Sequence, residues 1–336
     1  MTQSRRQFVC ASGAAASLFV TAPRVAFGQV GEPYRIFIAF PPGGTSTASM
    51  NPMLPYLRKA LGAEVELEYK PGAGGDLAAI TVARSKPDGR SLLFGHAGPL
   101  AINPYLAVQS FYDPLKELVA IAQVVQFPIV LCSHTRHGVK TVDELVALGR
   151  KKELIVGSSG NGSIQHLSGE LFKRTFGIET LHLPFLGGGP VQEALVKGVL
   201  DVLCETGSNV VKHIAEGRLT ALAVMGKHRL VVMPDVPTFA ELGKPELDVS
   251  AWFGLLAPSG TTEAELGQIE AAVLRALSND DVQAALKAIG GIPAPLNRGE
   301  FTSFIASEHK RWGEVIRLGG LNSTGSPTTR GVGTPQ

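Results

Sequence analysis

Three times along this chain a short run of β-branched and apolar residues gives way to a cluster of small residues, and a helical pattern follows at once. Val156 leads through Gly157-Ser158-Ser159-Gly160-Asn161-Gly162-Ser163 into Ile164-Gln165-His166-Leu167. Phe40-Pro41-Pro42-Gly43-Gly44-Thr45-Ser46 ends the run that begins at Tyr34, and Gly187-Gly188-Gly189-Pro190 ends the run that closes at Leu183. A strand that feeds a helix through so short a loop is a βα unit, and repeated βα units build helix-covered sheets. Each junction also concentrates unpaired backbone N–H groups at a helix start, which suits an anion. No good set of catalytic side chains stands beside these loops, so they point to binding rather than to chemistry.

The same alternation extends through the chain. Strands are expected at Tyr34–Phe40, Glu64–Tyr69, Ser91–Phe94, Ile129–Ser133, Leu154–Gly157, Thr180–Leu183, Asp201–Cys204, Leu219–Met225 and Trp252–Ala257, with helices between them. Among those helices are Pro52–Leu61, Asp76–Ser85, Ile164–Phe176, Pro190–Lys197 and Val210–Glu216. After Pro258 the pattern is helical to about Leu318. Thr141-Val142-Asp143-Glu144 and Thr262-Glu263-Ala264-Glu265 read as capping boxes, in which hydroxyl and carboxylate each satisfy an orphan N–H. The expected class is therefore α/β, with mostly parallel sheets in two lobes. A late strand at Trp252–Ala257, followed only by helices, returns the chain to its first lobe. Lobe one is then residues 29–130 plus 252–320 and lobe two residues 131–251, with a ligand cleft at their boundary and a loose tail over residues 321–336.

The first 28 residues read as an export label. Ser4-Arg5-Arg6-Gln7-Phe8-Val9 has a twin-arginine pattern, the apolar run from Cys10 to Val20 is too short to span a bilayer, and Ala26-Phe27-Gly28 offers a cleavage signal before Gln29. The whole chain carries 31 Lys and Arg against 29 Asp and Glu. Residues 1–28 hold Arg5, Arg6 and Arg24 and no acid, so their removal leaves 28 cations against 29 anions. A balance so near neutral gives no electrostatic case for nucleic acid or a membrane surface. Cys132 and Cys204 lie in apolar, strand-like settings. An oxidising compartment permits a disulfide between them, and two buried thiols are the simpler reading.

Several side chains invite sharper readings. His96, at a strand end in Gly95-His96-Ala97-Gly98, and His166, in the first turn after the serine-rich loop, could each donate to a ligand carboxylate or serve as a structural hydrogen-bond partner. His134 and His137 have a spacing seen in metal sites but no acidic or Cys ligand beside them, so neither a metal nor a cofactor is expected. Pro71-Gly72-Ala73-Gly74-Gly75-Asp76 lacks the spacing of a dinucleotide loop and reads as a turn into a helix. Gly157-Ser158-Ser159-Gly160 is one residue short of a nucleophile elbow, which leaves a periplasmic hydrolase with a triad drawn from distant positions as the rival function.

Taken in order, Phe40-Pro41-Pro42-Gly43-Gly44, Lys70-Pro71-Gly72-Ala73-Gly74-Gly75, Pro87-Asp88-Gly89, Asn103-Pro104-Tyr105-Leu106, Ser158-Ser159-Gly160-Asn161-Gly162-Ser163 with His166-Leu167, Leu222-Ala223-Val224 and Met233-Pro234-Asp235-Val236-Pro237-Thr238 resemble the hallmarks of the Bug family. These are the extracytoplasmic solute receptors of tripartite tricarboxylate transporters. The resemblance runs from about Tyr34 to Gly319. It implies a two-lobed periplasmic binding protein of type II-like fold, a monomer that closes on a small organic carboxylate and presents it to membrane transporter subunits. By position it implies ligand contacts from Gly44, Thr45 and Ser46 and from Ser159, Gly160 and Ser163, with His96 and Ala97 nearby. The loops themselves add Pro42, Gly43, Ser158, His166, Gly187 and Gly188 as candidate ligand-binding residues. Two departures stand out. Many members have an acid and an Arg where this chain has Thr47 and Asn51, and Tyr-Lys-Gly near Phe185-Leu186-Gly187. Loss of an acid from the mouth favours anions or neutral aromatic acids over ligands with an amino group.

Overall fold

The computed structural model describes residues 32–107, 111–185 and 188–321. The export label, Leu186, Gly187 and the tail from Asn322 lie outside the described residues. In chain order the elements are β1 (Tyr34–Ile38), α1 (Thr45–Met50), α2 (Leu54–Leu61), β2 (Val65–Tyr69), α3 (Asp76–Ala83), β3 (Ser91–His96), α4 (Asn103–Leu106), α5 (Pro114–Glu117), β4 (Leu118–His134), α6 (Val142–Gly149), β5 (Leu154–Ser158) and α7 (Ile164–Phe176). They continue with β6 (Thr180–Pro184), α8 (Gly188–Val196), β7 (Val202–Thr206), α9 (Gly207–Ala215), β8 (Leu219–Met225), β9 (Ser250–Pro258), α10 (Glu263–Leu277), α11 (Asp280–Ala288), β10 (Ile292–Pro293) and α12 (Arg298–Gly319).

The strands fall into two groups that share β4. Leu118–Pro128 pairs with β9 in the group β2-β1-β3-β9-β4, and Ile129–His134 pairs with β7 and β8 in the group that continues to β5 and β6. Pairing is parallel for β1 with β2 and β3 and for β5 with β6 and β7. It is antiparallel wherever β4 or β9 takes part. The sheet is thus mixed, against the expectation of mostly parallel sheets. The cause is topological: β4 carries the chain out of the first group and β9 returns beside it, and neighbouring strands that leave and return must run in opposite senses.

The sequence pattern marks a strand only at Ile129–Ser133, whereas β4 begins at Leu118. Leu118-Val119-Ala120-Ile121-Ala122-Gln123-Val124-Val125 is almost continuously apolar and almost wholly buried. A strand covered on both faces loses its alternation, so periodicity cannot separate it from a buried helix. Elsewhere the alternation is plain. Ile36 and Ile38 of β1 pack with Leu57 of α2 and Leu266, Ile269 and Val273 of α10, while Phe37 between them joins the opposite cluster with Val82 of α3 and Phe301 and Trp312 of α12. In β4, Ile129 and Leu131 join that same cluster, and Val130 and Cys132 pack instead with Val191, Leu195 and Val210. Cys132 and Cys204 are buried free thiols on different faces of the sheet.

Helix starts follow their sequence signals. Thr262 and Glu265 form a reciprocal capping box on α10. At α6, Thr141 Oγ1 accepts from Glu144 N–H at 3.2 Å, but the Glu144 carboxylate accepts from Lys140 N–H rather than from Thr141, so that box is one-sided. Asn297 and Glu300 form a further reciprocal box on α12.

Candidate functional site

Parallel strands bring their C-terminal ends to one edge, and this rule gathers the candidate residues of each lobe. Ile38 of β1 lies beside Phe94 of β3, so the loop from Ala39 to Ser46 and the pair His96-Ala97 share an edge. Pro41, Pro42, Gly43, Gly44 and Thr45 are exposed, and Gly43 adopts φ +89° with nothing crowding its α-carbon. Ser46 is buried, and its Oγ has no hydrogen-bond partner. Thr47 turns back into its own lobe, where its hydroxyl donates to Tyr69 Oη at 3.4 Å.

His96 lies against the Phe40 ring, with centroids 4.8 Å apart. Its Nδ1 accepts from Gly98 N–H at 3.2 Å, which assigns the proton to Nε2, and that atom is buried without a partner. Burial lowers its pKa to about 4, so the ring is neutral at physiological pH. A Cβ placed on Gly75 would lie 2.6 Å from His96 Nε2, so the Pro71–Asp76 turn packs directly on this histidine. Asn103 fixes that turn: its Nδ2 donates to Ala73 O, Gly74 O and Asp76 Oδ1 at 3.3, 3.2 and 2.9 Å.

In the second lobe β5, β6 and β7 end together, with Ser158 beside Pro184 and Gly157 beside Leu203. Ser158 is buried; its Oγ accepts from Gly160 N–H at 3.2 Å and lies 2.7 Å from His182 Nε2. Ser163 caps α7 through an Oγ that accepts from His166 N–H at 3.2 Å. His166 Nδ1 accepts from Gly162 N–H at 3.2 Å, and its ring stacks on His182 at 3.8 Å. Burial, with His182 adding to it, lowers the His166 pKa to about 3, and burial lowers that of His182 to about 4. Ser158 and His166 thus hold the loop together, while Ser159, Gly160, Asn161 and Ser163 keep access to solvent. Gly188 opens α8 close to this edge, and Gly187 is outside the described residues. The loop also meets the first lobe: a Cβ on Gly162, at φ +73°, would lie 2.4 Å from Leu106 Cδ1 of α4.

One residue at this edge went unread in the sequence. Glu205, at the end of β7, is fully buried. Its Oε1 accepts from Thr206 N–H at 2.7 Å, Gln165 Nε2 at 3.2 Å and Asn209 Nδ2 at 3.4 Å, while its Oε2 has no partner. Gln165 Oε1 in turn accepts from Ser159 Oγ at 2.9 Å, which links Glu205 to the serine-rich loop. Burial raises its pKa. The sequence signal was an acid at a strand end just before the helix-opening Thr206-Gly207-Ser208-Asn209.

His134 and His137 do not converge. His134 Nδ1 accepts from Arg136 N–H, and His137 Nε2 lies 2.8 Å from Asp201 Oδ1. For the hydrolase alternative, the second lobe holds a serine–histidine pair, but Ser158 is buried, and among the described residues no carboxylate orients His182. An open groove of about 780 Å³ lined by Tyr105, Leu115, His309 and Gly313 holds none of the candidate residues.

Two lobes joined by a pair of crossing strands, each presenting small-residue loops at the ends of its parallel strands, define the class of two-lobed solute-binding proteins. Residues 53–321 match the model of the tripartite tricarboxylate transporter family receptor, and the chain belongs to that family. It is 32% identical to BugT of Bordetella pertussis over 301 residues, covering 89% of this chain and 92% of that one. Among solved structures, MatC of Rhodopseudomonas palustris with bound malate superposes with a TM-score of 0.72 at 32% identity, covering 84% of this chain and 98% of that one. A second R. palustris protein, with adipate, superposes with a TM-score of 0.75 at 26% identity, covering 85% and 96%. The family is one of solute receptors, not enzymes, and the hydrolase alternative is set aside on that ground.

Proposed function

We propose that this chain is a periplasmic receptor that captures a small organic carboxylate between its lobes and delivers it to the membrane subunits of a tripartite tricarboxylate-type transporter. Residues 29–130 with 252–320 form one lobe and residues 131–251 the other. Ligand contacts come from Pro42 to Ser46 and His96-Ala97 on the first, and from Ser158 to Gly160, Ser163, His166, Gly187 and Gly188 on the second. The observation that carries the reading is the pairing of small-residue strand-end loops that keep access to solvent with family relatives that hold malate and adipate. Backbone amides at such loops bind an anion without a formal counter-charge. One helix terminus contributes about 0.3–1 kcal/mol when exposed and up to about 2 when partly buried. Micromolar affinity requires about 8 kcal/mol, so several loops and desolvation on lobe closure act together.

Thr47 and Asn51 tilt selection toward carboxylates without an amino group. The chain acts as a monomer and reaches the periplasm by the twin-arginine route, with processing near Gly28. None of the described helices is long and apolar enough to cross a membrane. The test is mass spectrometry of the ligand released from the purified protein, together with incubation against a library of carboxylates. Thermal stabilisation with every compound recovered unchanged supports the receptor; chemical conversion of a library member contradicts it.

A further inference from the structure

Among the groups that the proposed contacts leave unused, Glu205 is the most constrained. It sits at the C-terminal end of β7, on the edge that carries the serine-rich loop and the start of α8. All of its donors converge on one oxygen. Thr206 N–H, Gln165 Nε2, Asn209 Nδ2 and the Thr206 hydroxyl reach Oε1, and Oε2 is left buried with no partner. Burial is the larger effect and raises the Glu205 pKa, while the bonds from Thr206, Gln165 and Asn209 to Oε1 act to lower it. A carboxylic acid accepts on its carbonyl oxygen and carries its proton on the other.

The surroundings agree. The groups that meet Glu205 from α7 and α9 are Gln165 and Asn209, and Gln192 of α8 shares its space beside Gly188; all three are neutral. The titratable neighbours on β4 and β7 are the thiols of Cys132 and Cys204, both of which its charge would push further up. No Lys, Arg or His among the described residues forms an ion pair with it. Burial without a cation favours the neutral form of the acid. The unpaired Oε2 lies near Gly188, where an added Cβ would be 3.6 Å from it, and the Gln165 bridge ties the same carboxyl to Ser159.

We infer that Glu205 is a specificity-determining residue of this receptor, a protonated acid whose Oε2–H donates a hydrogen bond to an oxygen of the bound carboxylate. The inference rests on the proposed receptor function and deepens it. A neutral acid adds a donor to a site already rich in amides and carries no charge to repel the ligand. Once ionised, the same group becomes an acceptor and a like charge in a poorly screened cleft. Binding therefore weakens as pH rises through the titration of Glu205. The histidines of the two edges do not mask this, because their lowered pKa values keep them neutral above pH 6.

The test begins with the free protein. Its infrared spectrum at pH 7 is expected to show a protonated carboxyl stretch that disappears in Glu205→Gln; absence of that difference overturns the inference whatever the ligand. Malate and adipate then serve as calorimetric probes from pH 6 to pH 9. Wild-type affinity is expected to fall with rising pH. Glu205→Gln, which keeps a donor, is expected to bind within about threefold of wild type at pH 6 with a flat profile, and Glu205→Ala to lose tenfold or more. Circular dichroism melts verify that each variant is folded, and if Glu205→Ala is not, the Gln variant and the wild-type profile decide. Equal profiles for wild type and Glu205→Gln, or undiminished binding by folded Glu205→Ala, overturn the inference alone. A wild type that shows the band yet binds no member of the carboxylate library overturns the receptor reading and the ligand contact with it.

Discussion

Ser159 keeps access to solvent, while Gly160 N–H and Gly162 N–H are bonded inside the loop. Ser158 Oγ, His166 Nδ1 and Ser163 Oγ accept from Gly160, Gly162 and His166 N–H and hold the loop in shape. Contact through backbone N–H groups makes a sharp prediction. Ser159→Pro deletes a donor and distorts the loop, whereas Ser159→Ala gives up only the bond to Gln165. The proline variant should bind its carboxylate at least tenfold more weakly than the alanine variant; equal calorimetric affinities would show that this backbone does not touch the ligand. At the first loop, Thr47→Asp with Asn51→Arg sets an acid where Thr47 now meets Tyr69. Affinity for simple carboxylates should fall, and fall less for amino acids. A wild type that prefers an amino acid to its deaminated analogue would contradict this reading of the pocket.

Elements show where a sequence informs and where it does not. α7 is legible from the chain because its ends are marked: Ser163 opens it and Gly177 closes it in the left-handed region. The leading half of β4 was not legible, since burial on both faces erases the period. Glu205 was missed for a related reason, because its meaning lies in burial by α7 and α9 and not in any local pattern. Long-range contacts of this kind also set stability. Trp252 of β9 and Trp312 of α12 both donate to the buried Glu308 Oε2, at 3.1 and 2.9 Å. Glu308→Leu strands two buried indole N–H groups at about 1–3 kcal/mol each. Denaturant unfolding should register a loss of about 2–5 kcal/mol, and a loss below about 1 kcal/mol would contradict the account.

Asp201 ties together three segments of the second lobe. It precedes β7, and its side chain, only 2% exposed, receives Ile155 N–H of β5, Arg136, Lys152 and His137. Burial alone would raise its pKa, but the bonds from Ile155, Arg136 and Lys152 prevail and hold it at about 2. A folded-state pKa below the unfolded value means stability that is complete above about pH 4 and is lost as pH falls toward about 2. Asp201→Asn should lower stability at neutral pH and flatten the acid limb of a pH-dependent melting series. An acid limb as steep as that of the wild type would assign the loss to other groups.

At the scale of the molecule, β4 and β9 carry the chain between two strand groups, and the candidate residues collect at the strand ends of each. That placement follows from parallel pairing within each lobe, which the βα repeats announced. The antiparallel seam had to be seen in the structure, because no local pattern says which strands cross. The close packing of Gly162 on Leu106 joins the serine-rich loop to the first lobe. The central claim is capture of a small carboxylate without turnover, and calorimetric titration of the purified chain with malate and adipate tests it most directly. The account predicts saturable binding of at least one of them at one molecule per chain, with a dissociation constant near the micromolar range and the ligand recovered unchanged. A folded protein that gives no saturable heat with either, or that returns the carboxylate chemically altered, would contradict it.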